Sequence, residues 1–348
     1  MEYDIIIATA NRPAMLALSV PTMLGQTRPP RRLIIIDASH EPEPVERALH
    51  EAGRDSGVDM VFDRGPRGAA HQRNAGMPHS TAPVVFFPDD DALWRPDTAE
   101  ETMRVYERDA EGVIGGIAQA ETREPPIALP EVGAAARPFS ERVKYRIAKG
   151  RHWLVNKSIR HPLSIAAEGL LAERPASPWL EDAHARLIPH QPGFRMTFRR
   201  SALPDPPFNE TLRPPRTALE DFDLSLTVGR THLLVEATRA LSYHHRTPGP
   251  RADSVTTGLN FMLNLAYITC RHTAPGAPAR RALKRYCRVF MLEQVGPRSV
   301  TRFGREKGRA MRLAIARFDE LLSAPIDDLD DVYICVFDDC LRALGMKP

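Results

Sequence analysis

The chain opens with Tyr3-Asp4-Ile5-Ile6-Ile7-Ala8-Thr9, an apolar run closed by polar residues, and the pattern returns as Leu33-Ile34-Ile35-Ile36-Asp37. Runs that are apolar at odd and even positions alike predict strands buried on both faces of a parallel sheet. Between them, residues 13–26 have helix length, a proline in the first turn and Pro29-Pro30 beyond the end, which completes a βαβ unit. The alternation continues with a strand at 58–62, a helix at 69–77, a strand at 84–87, a helix at 98–109 and a strand at 113–117. Residues 1–118 therefore predict an open α/β sheet.

The order then breaks. Residues 121–138 are rich in proline and alanine, 139–159 predict a basic helix, and loop continues to Pro192, so 119–192 reads as an insertion. Regular signals resume with a strand at 194–198, a helix at 218–229 and a strand at 233–236, assigning 193–250 to the same sheet. From Thr256 the pattern is helical, broken at Pro275-Gly276-Ala277-Pro278, Gly296-Pro297 and Ala324-Pro325, and 251–348 forms a helical C-terminal region.

The 348 residues suffice for one large domain or two modest ones, and 43% hydrophobic with 26% charged residues excludes a fibrous or wholly disordered chain. No stretch reaches the ~20 apolar residues of a bilayer span, and no basic segment with an apolar run opens the chain, which predicts a cytoplasmic protein. Cys270, Cys287, Cys335 and Cys340 lack paired zinc-ligand spacing and are expected to be reduced. The net charge is only +3, yet basic residues cluster at 142–160 and 271–312. These clusters suit anionic partners, including peripheral contact with an anionic membrane at its inner face; no nucleic-acid motif accompanies them.

In open α/β sheets ligands bind beyond the carboxyl ends of the strands. Thr9-Ala10-Asn11-Arg12 follows the first strand, Asp37 ends the second, and Pro88-Asp89-Asp90-Asp91 ends the fourth. Three adjacent carboxylates repel unless exposed or neutralised, and a hard divalent cation shared with substrate phosphates would neutralise them. The pattern points to a nucleoside-diphosphate site; a solvated acidic turn is the bland alternative.

These residues resemble family 2 glycosyltransferases, which have the GT-A fold. The opening strand with Thr9-Ala10-Asn11-Arg12-Pro13 is similar to the family's first turn, and Asp37 falls where the family has an acidic residue that helps hold the nucleotide base. Arg73-Asn74-Ala75-Gly76 resembles the Arg-Asn-x-Gly helix, and Phe86-Phe87-Pro88-Asp89-Asp90-Asp91 the DXD strand end. The segment from Met196 through Pro207-Phe208-Asn209-Glu210 to Leu219-Glu220-Asp221-Phe222-Asp223 resembles the acceptor half with its Glu-Asp motif. The resemblance covers roughly 3–118 and 193–250 and implies a GT-A, Rossmann-like, mostly parallel sheet flanked by helices.

It also implies roles. Thr9, Asn11, Arg12, Asp37, Arg73, Asp89 and Asp90 would bind the nucleotide sugar, with Arg73 adding positive charge to the diphosphate and the central Asp90 largely structural. Asp91, with Asp89 and one of His244 and His245, would hold Mn²⁺ or Mg²⁺ as a Lewis acid. Glu220 and Asp221 would be catalytic, Asp221 as general base; helical spacing alone does not choose among the acids of this helix. The implied activity is inverting, metal-dependent transfer of a sugar from a UDP- or GDP-type donor to a hydroxyl of a glycan or lipid-linked acceptor, in surface polysaccharide or glycoconjugate synthesis. The alternatives are a non-catalytic nucleotide-sugar-binding or scaffold protein of the same fold and a sugar nucleotidyltransferase, although the latter's Gly-rich opening loop is replaced here by Thr9-Ala10-Asn11-Arg12-Pro13. The acidic run Asp327-Asp328-Leu329-Asp330-Asp331 lacks calcium-loop spacing and reads as the start of an amphipathic helix.

Overall fold

The computed structural model describes residues 1–129, 159–172, 178–212, 218–245, 253–296 and 300–347. It divides into two compact units, one formed by Met1–Ala128 with Gly169–Gly249 and the other by Leu129–Glu168 with Pro250–Pro348.

The first unit begins with β1 (Tyr3–Thr9), α1 (Pro13–Leu24), β2 (Arg32–Asp37), α2 (Glu43–Gly53), β3 (Asp59–Arg64), α3 (Ala69–Gly76), β4 (Val84–Pro88), β5 (Ala92–Trp94), α4 (Thr98–Arg108) and β6 (Ile114–Thr122). The chain returns to this unit at Gly169, within α5 (Pro162–Ala172), whose first seven residues belong to the second unit, and continues with α6 (Trp179–Asp182), β7 (Ala185–Leu187), β8 (Arg195–Arg199), α7 (Glu220–Gly229) and β9 (Leu233–His244). Among the described residues these strands form one sheet in the order β3-β2-β1-β4-β8-β6-β9-β5, with β7 also on β9. The half from β3 to β4 is parallel, whereas β8 runs antiparallel to both β4 and β6.

The triple isoleucines are explained by burial on both faces. Ile5, Ile7, Leu33 and Ile35 share one core cluster with Leu16, Val20, Val45, Leu49, Met103 and Tyr106 of α1, α2 and α4. Ile6, Ile34, Ile36, Val85 and Phe87 share the other with Ala70, Leu224 and Val228 of α3 and α7. Helix α3 lies so close to the sheet that a Cβ on Gly76 would sit 2.5 Å from Ile6 Cγ2. Only glycine allows that approach.

Three stretches differ from expectation. Helix α2 is absent from the expected elements although Val45, Ala48, Leu49 and Ala52 fall at helical spacing; Val45 and Leu49 are buried and Ala52 packs against the core. The loop expected up to Pro192 contains α5, α6 and β7; the predicted basic helix over 139–159 lies, but for its last residue, outside the described residues. Strand β9 runs eight residues beyond the predicted 233–236. Its pairing with β6 steps from Gln119↔Ala237 directly to Ala120↔Leu241, so Thr238, Arg239 and Ala240 bulge from the ladder. Thr238 and Arg239 are exposed, which interrupts the apolar pattern there.

The second unit contains α8 (Ser254–His272), α9 (Pro278–Val295), α10 (Arg302–Ala316), α11 (Phe318–Ser323) and α12 (Leu329–Ala343). The expected breaks near 275–278, 296–297 and 324–325 fall between these helices. Asp253 and Thr301 cap α8 and α10, accepting from the main-chain N–H groups of Thr256 at 2.8 Å and Gly304 at 3.0 Å. Helix α8 is the core of the unit, with Leu259, Met262, Leu263, Leu265, Ala266 and Ile268 fully buried. Cys270, Cys287 and Cys340 are buried free thiols and Cys335 an exposed one. Among the described residues no helix is long and apolar enough to cross a membrane.

Candidate active site

Strand β4 ends at Pro88 and delivers three aspartates into different surroundings. Asp90 turns inward, is 4% exposed, and accepts hydrogen bonds from Thr9 Oγ1 at 2.8 Å and from Arg12 Nη1. Burial pushes its carboxyl up to about 7 despite the opposing pull of Arg12. Asp91 goes the other way. Burial raises it, but His244 and Arg12 outweigh burial and hold it below the ordinary carboxylate value. Arg12 Nη2 donates to Asp91 Oδ2 at 2.9 Å.

His244 arrives from the far end of β9, where Ala92 pairs with His244 in the antiparallel β5–β9 ladder. Its Nε2 lies 3.2 Å from Asp91 Oδ1, an ion-pair separation without hydrogen-bond geometry, and Asp91 Oδ1 is buried with no hydrogen-bond partner. The Phe194 ring stacks on His244, with centroids 4.4 Å apart and planes 15° from parallel, and fixes the imidazole plane. Ligand atoms of Asp89, Asp91 and His244 all lie within 4.8 Å of one another. Two carboxylates, one imidazole and a buried carboxylate oxygen without a hydrogen-bond partner form a donor set that fits a divalent ion such as Mn²⁺ or Mg²⁺. His245 lies outside this set; its main-chain N–H donates to the Asp91 carbonyl at 2.9 Å and fastens β9 to the strand end.

Arg73 connects the aspartates to the Glu-Asp pair. Its side chain is 1% exposed; Nη2 donates to Asp89 Oδ1 at 2.7 Å and Nη1 to Glu220 Oε1 at 3.1 Å, while the guanidinium lies 5.3 Å from the Phe208 ring centroid. The neighbouring Asn74 donates to the Phe208 carbonyl at 2.8 Å and accepts from its N–H at 2.9 Å. Each letter of Arg73-Asn74-Ala75-Gly76 that the motif shares thus has a structural reason: a buried cation, a loop clamp and a close helix–sheet contact.

Asp221 sits at the start of α7 and is held from both sides. Its Oδ2 accepts from Gly193 N at 2.9 Å and its Oδ1 from Phe222 N at 2.9 Å. Burial nevertheless raises its pKa above the ordinary aspartate value, against the pull of these bonds and of Arg73. Glu220 is pushed up as well, by burial first and by the Asp221 charge second. Asp223 is buried on the packed side of the helix.

The remaining residues expected to bind a nucleotide sugar divide into buried and exposed groups. Asp37 is fully buried, accepting from Ser39 N at 3.0 Å and Ser39 Oγ at 2.5 Å, and pairs with Arg64. Thr9 is buried under Asp90. Asn11, exposed and at φ 57°, accepts from His40 N at 3.1 Å on its side chain and donates its own main-chain N–H to Ser39 Oγ at 2.6 Å, which ties the β1 and β2 loops together. Sequence reasoning missed Gly193, Phe194 and Phe208. The Pro192-Gly193 pair before an apolar strand was the available signal for the first two; Phe208 had none beyond its place in the acceptor half.

Comparisons with known proteins bear on the fold. The family described as Glycosyl transferase family 2 matches residues 4–161. Residues 4–161 are thus similar to family 2 glycosyltransferases. Beyond this segment, the fold matches over nearly the whole chain. The crystal structure of S. aureus TarS 1-349 covers 99% of this chain and 92% of its own at 13% identity, with a TM-score of 0.52. The same protein in complex with UDP-GlcNAc covers 99% and 93% at 11% identity, with a TM-score of 0.54. Both show that the fold is GT-A. A mannosyltransferase from Pyrobaculum calidifontis in complex with GDP-Man and Mn²⁺ covers 96% of this chain and 85% of its own at 15% identity, with a TM-score of 0.48. Among curated proteins no sequence match was found.

Proposed function

We propose that this chain is an inverting, metal-dependent glycosyltransferase that moves a sugar from a UDP- or GDP-type donor to a hydroxyl of a glycan or lipid-linked acceptor, in surface polysaccharide or glycoconjugate synthesis. The observation that carries the reading is the convergence of Asp89, Asp91 and His244 from two strand ends, joined through buried Arg73 to Glu220 beside Asp221. Asn11, Arg12 and Asp89 border the donor, while Thr9, Asp37, Asp90 and Arg73 hold the strand ends that shape its pocket. Asp89, Asp91 and His244 would hold Mn²⁺ or Mg²⁺, which supplies charge neutralisation for the departing diphosphate. His245 supports the ligand set through its backbone.

Asp221 is the base. The acceptor oxygen bonds to the anomeric carbon, the bond from that carbon to the diphosphate oxygen breaks, and the hydroxyl proton passes to the Asp221 carboxylate. Attack from the side opposite the leaving group inverts the anomeric centre. The raised pKa of Asp221 strengthens it as a proton acceptor, and its two main-chain hydrogen bonds aim it without occupying every lone pair. Glu220, bound to Arg73, fixes the start of the helix that carries the base. The expected contact with an anionic membrane surface draws on other residues, those of the second unit.

Thermal denaturation with UDP, GDP, CMP and dTDP, with Mn²⁺ or EDTA, tests the site, combined with donor hydrolysis by wild type and Asp221→Asn. One diphosphate at ~100 times its dissociation constant stabilises by about 2.7 kcal/mol in a metal-dependent way in both proteins. Turnover falls by about 10²–10⁴-fold in Asp221→Asn. Absence of any shift sinks the donor site; an intact shift with no wild-type turnover on any acceptor favours a binding or scaffold protein.

A further inference from the structure

Residues 278–316 of the second unit carry eleven Lys or Arg against two acidic residues, in a chain whose formal net charge is only +3. Several of these cations have structural duties. Arg280 binds the carbonyls of Cys270, Thr273 and Leu322, and Lys284 pairs with Asp319 at 2.5 Å. The others are arranged differently. On α9, Arg281, Arg285 and Arg288 are exposed at helical spacing and are continued on the same face by Leu292. On α10, Arg302, Arg305, Arg309 and Arg312 form a second exposed stripe. Of the two acids, Glu306 is bound by Arg302 at 2.8 Å and by the Ser254 hydroxyl at 2.9 Å, which leaves the basic excess on α10 almost intact.

Exposed apolar residues gather where the two stripes meet in sequence. Leu292 is 64% exposed, Val300 80% and Phe303 39%, half of the large apolar side chains exposed to this degree among the described residues. A soluble polyanion would recognise arginines alone and would gain nothing from these three. An anionic lipid surface uses both, with phosphate headgroups facing the guanidinium groups and the acyl boundary receiving the apolar side chains.

We infer that the second unit docks peripherally, through α9, α10 and Val300, on a bilayer rich in anionic phospholipid, with Leu292, Val300 and Phe303 inserting and the Arg stripes paired with headgroups. This docking does not depend on the transfer chemistry of the first unit.

Co-sedimentation of the full chain with vesicles of phosphatidylcholine, with and without phosphatidylglycerol, tests it. Wild type pellets with the phosphatidylglycerol vesicles alone and is released as salt shortens the Debye length below ~8 Å. Arg285→Glu/Arg288→Glu lowers the partition constant by roughly tenfold or more, and Leu292→Gln/Val300→Gln lowers it several-fold. Thermal melting matched to wild type verifies folding, and Arg288→Glu and Val300→Gln singly replace any double variant that fails this check. Three results overturn the proposal: no pelleting with phosphatidylglycerol, pelleting indifferent to both substitutions, or pelleting lost with the arginines but indifferent to Leu292 and Val300. The last marks a site for a soluble polyanion, which inorganic polyphosphate would then occupy.

Discussion

Asp89-Asp90-Asp91 and Asp327-Asp328-Leu329-Asp330-Asp331 are both dense acidic runs at the boundary of a regular element, yet their surroundings are opposite. The first ends a buried strand, where one carboxylate is driven up by burial and its neighbour is held down by an arginine and a histidine. The second surrounds the start of α12; its four aspartates are exposed, Asp330 accepts from the Tyr267 hydroxyl at 2.6 Å, and only Leu329 is buried. Acid beside a helix N-terminus is favourable without any ligand. What separates a candidate cation site from a solvated cap is the strand-end position, the imidazole brought from another strand and a buried carboxylate oxygen without a hydrogen-bond partner.

Four perturbations would break or sharpen this contrast. The largest effect belongs to Arg73→Met, which leaves Glu220 without its cation; about 3 kcal/mol of stability should disappear in urea denaturation. A loss below 1 kcal/mol would mean that Asp89 and Glu220 relax into solvent unaided. Next is Asp91→Asn, expected to weaken Mn²⁺ binding by roughly a hundredfold in an EPR titration, since even partners outside the ligand shell commonly cost 10–100-fold. Unchanged affinity would remove Asp91 from the ligand set. Third, kcat/KM should fall about tenfold per pH unit on an acidic limb lying above the ordinary aspartate value of 3.8, because the active Asp221 is deprotonated and its pKa is raised. Residual turnover in Asp221→Asn should lack that limb; finding it there assigns the limb to another group. The smallest effect is Asp331→Asn, worth about 0.3–1 kcal/mol through the helix dipole, with no change in Mn²⁺ affinity.

β1, β2 and β4 were legible because they are buried on both faces. Ile5-Ile6-Ile7 and Leu33-Ile34-Ile35-Ile36 are apolar runs of strand length, and Pro13 and Gly76 mark helix boundaries. Short or half-buried pieces were not legible. β5 and β7 contribute three residues each, too few to show a period. In the candidate site, the aspartates were visible as residues following an apolar strand, but the choice between His244 and His245 was not. That choice depends on which residue faces Asp91 across β5 and β9, a matter of strand pairing. Nor does any periodicity show that Arg73 is buried between two carboxylates on separate elements, since its helix segment looks polar on all sides.

The three-residue bulge in β9 acts as a phase setter for the cluster. Ala237 is still in step with β6, the ladder resumes at Leu241 after the bulge, and His244 then faces Ala92. Removing one residue from 238–240 without repair would carry the imidazole of His244 to the opposite face, away from Asp91, while leaving every side chain of the chain chemically intact. A length change this small, in a stretch that holds none of the three candidate ligands, would erase the candidate metal site as completely as removing the histidine itself.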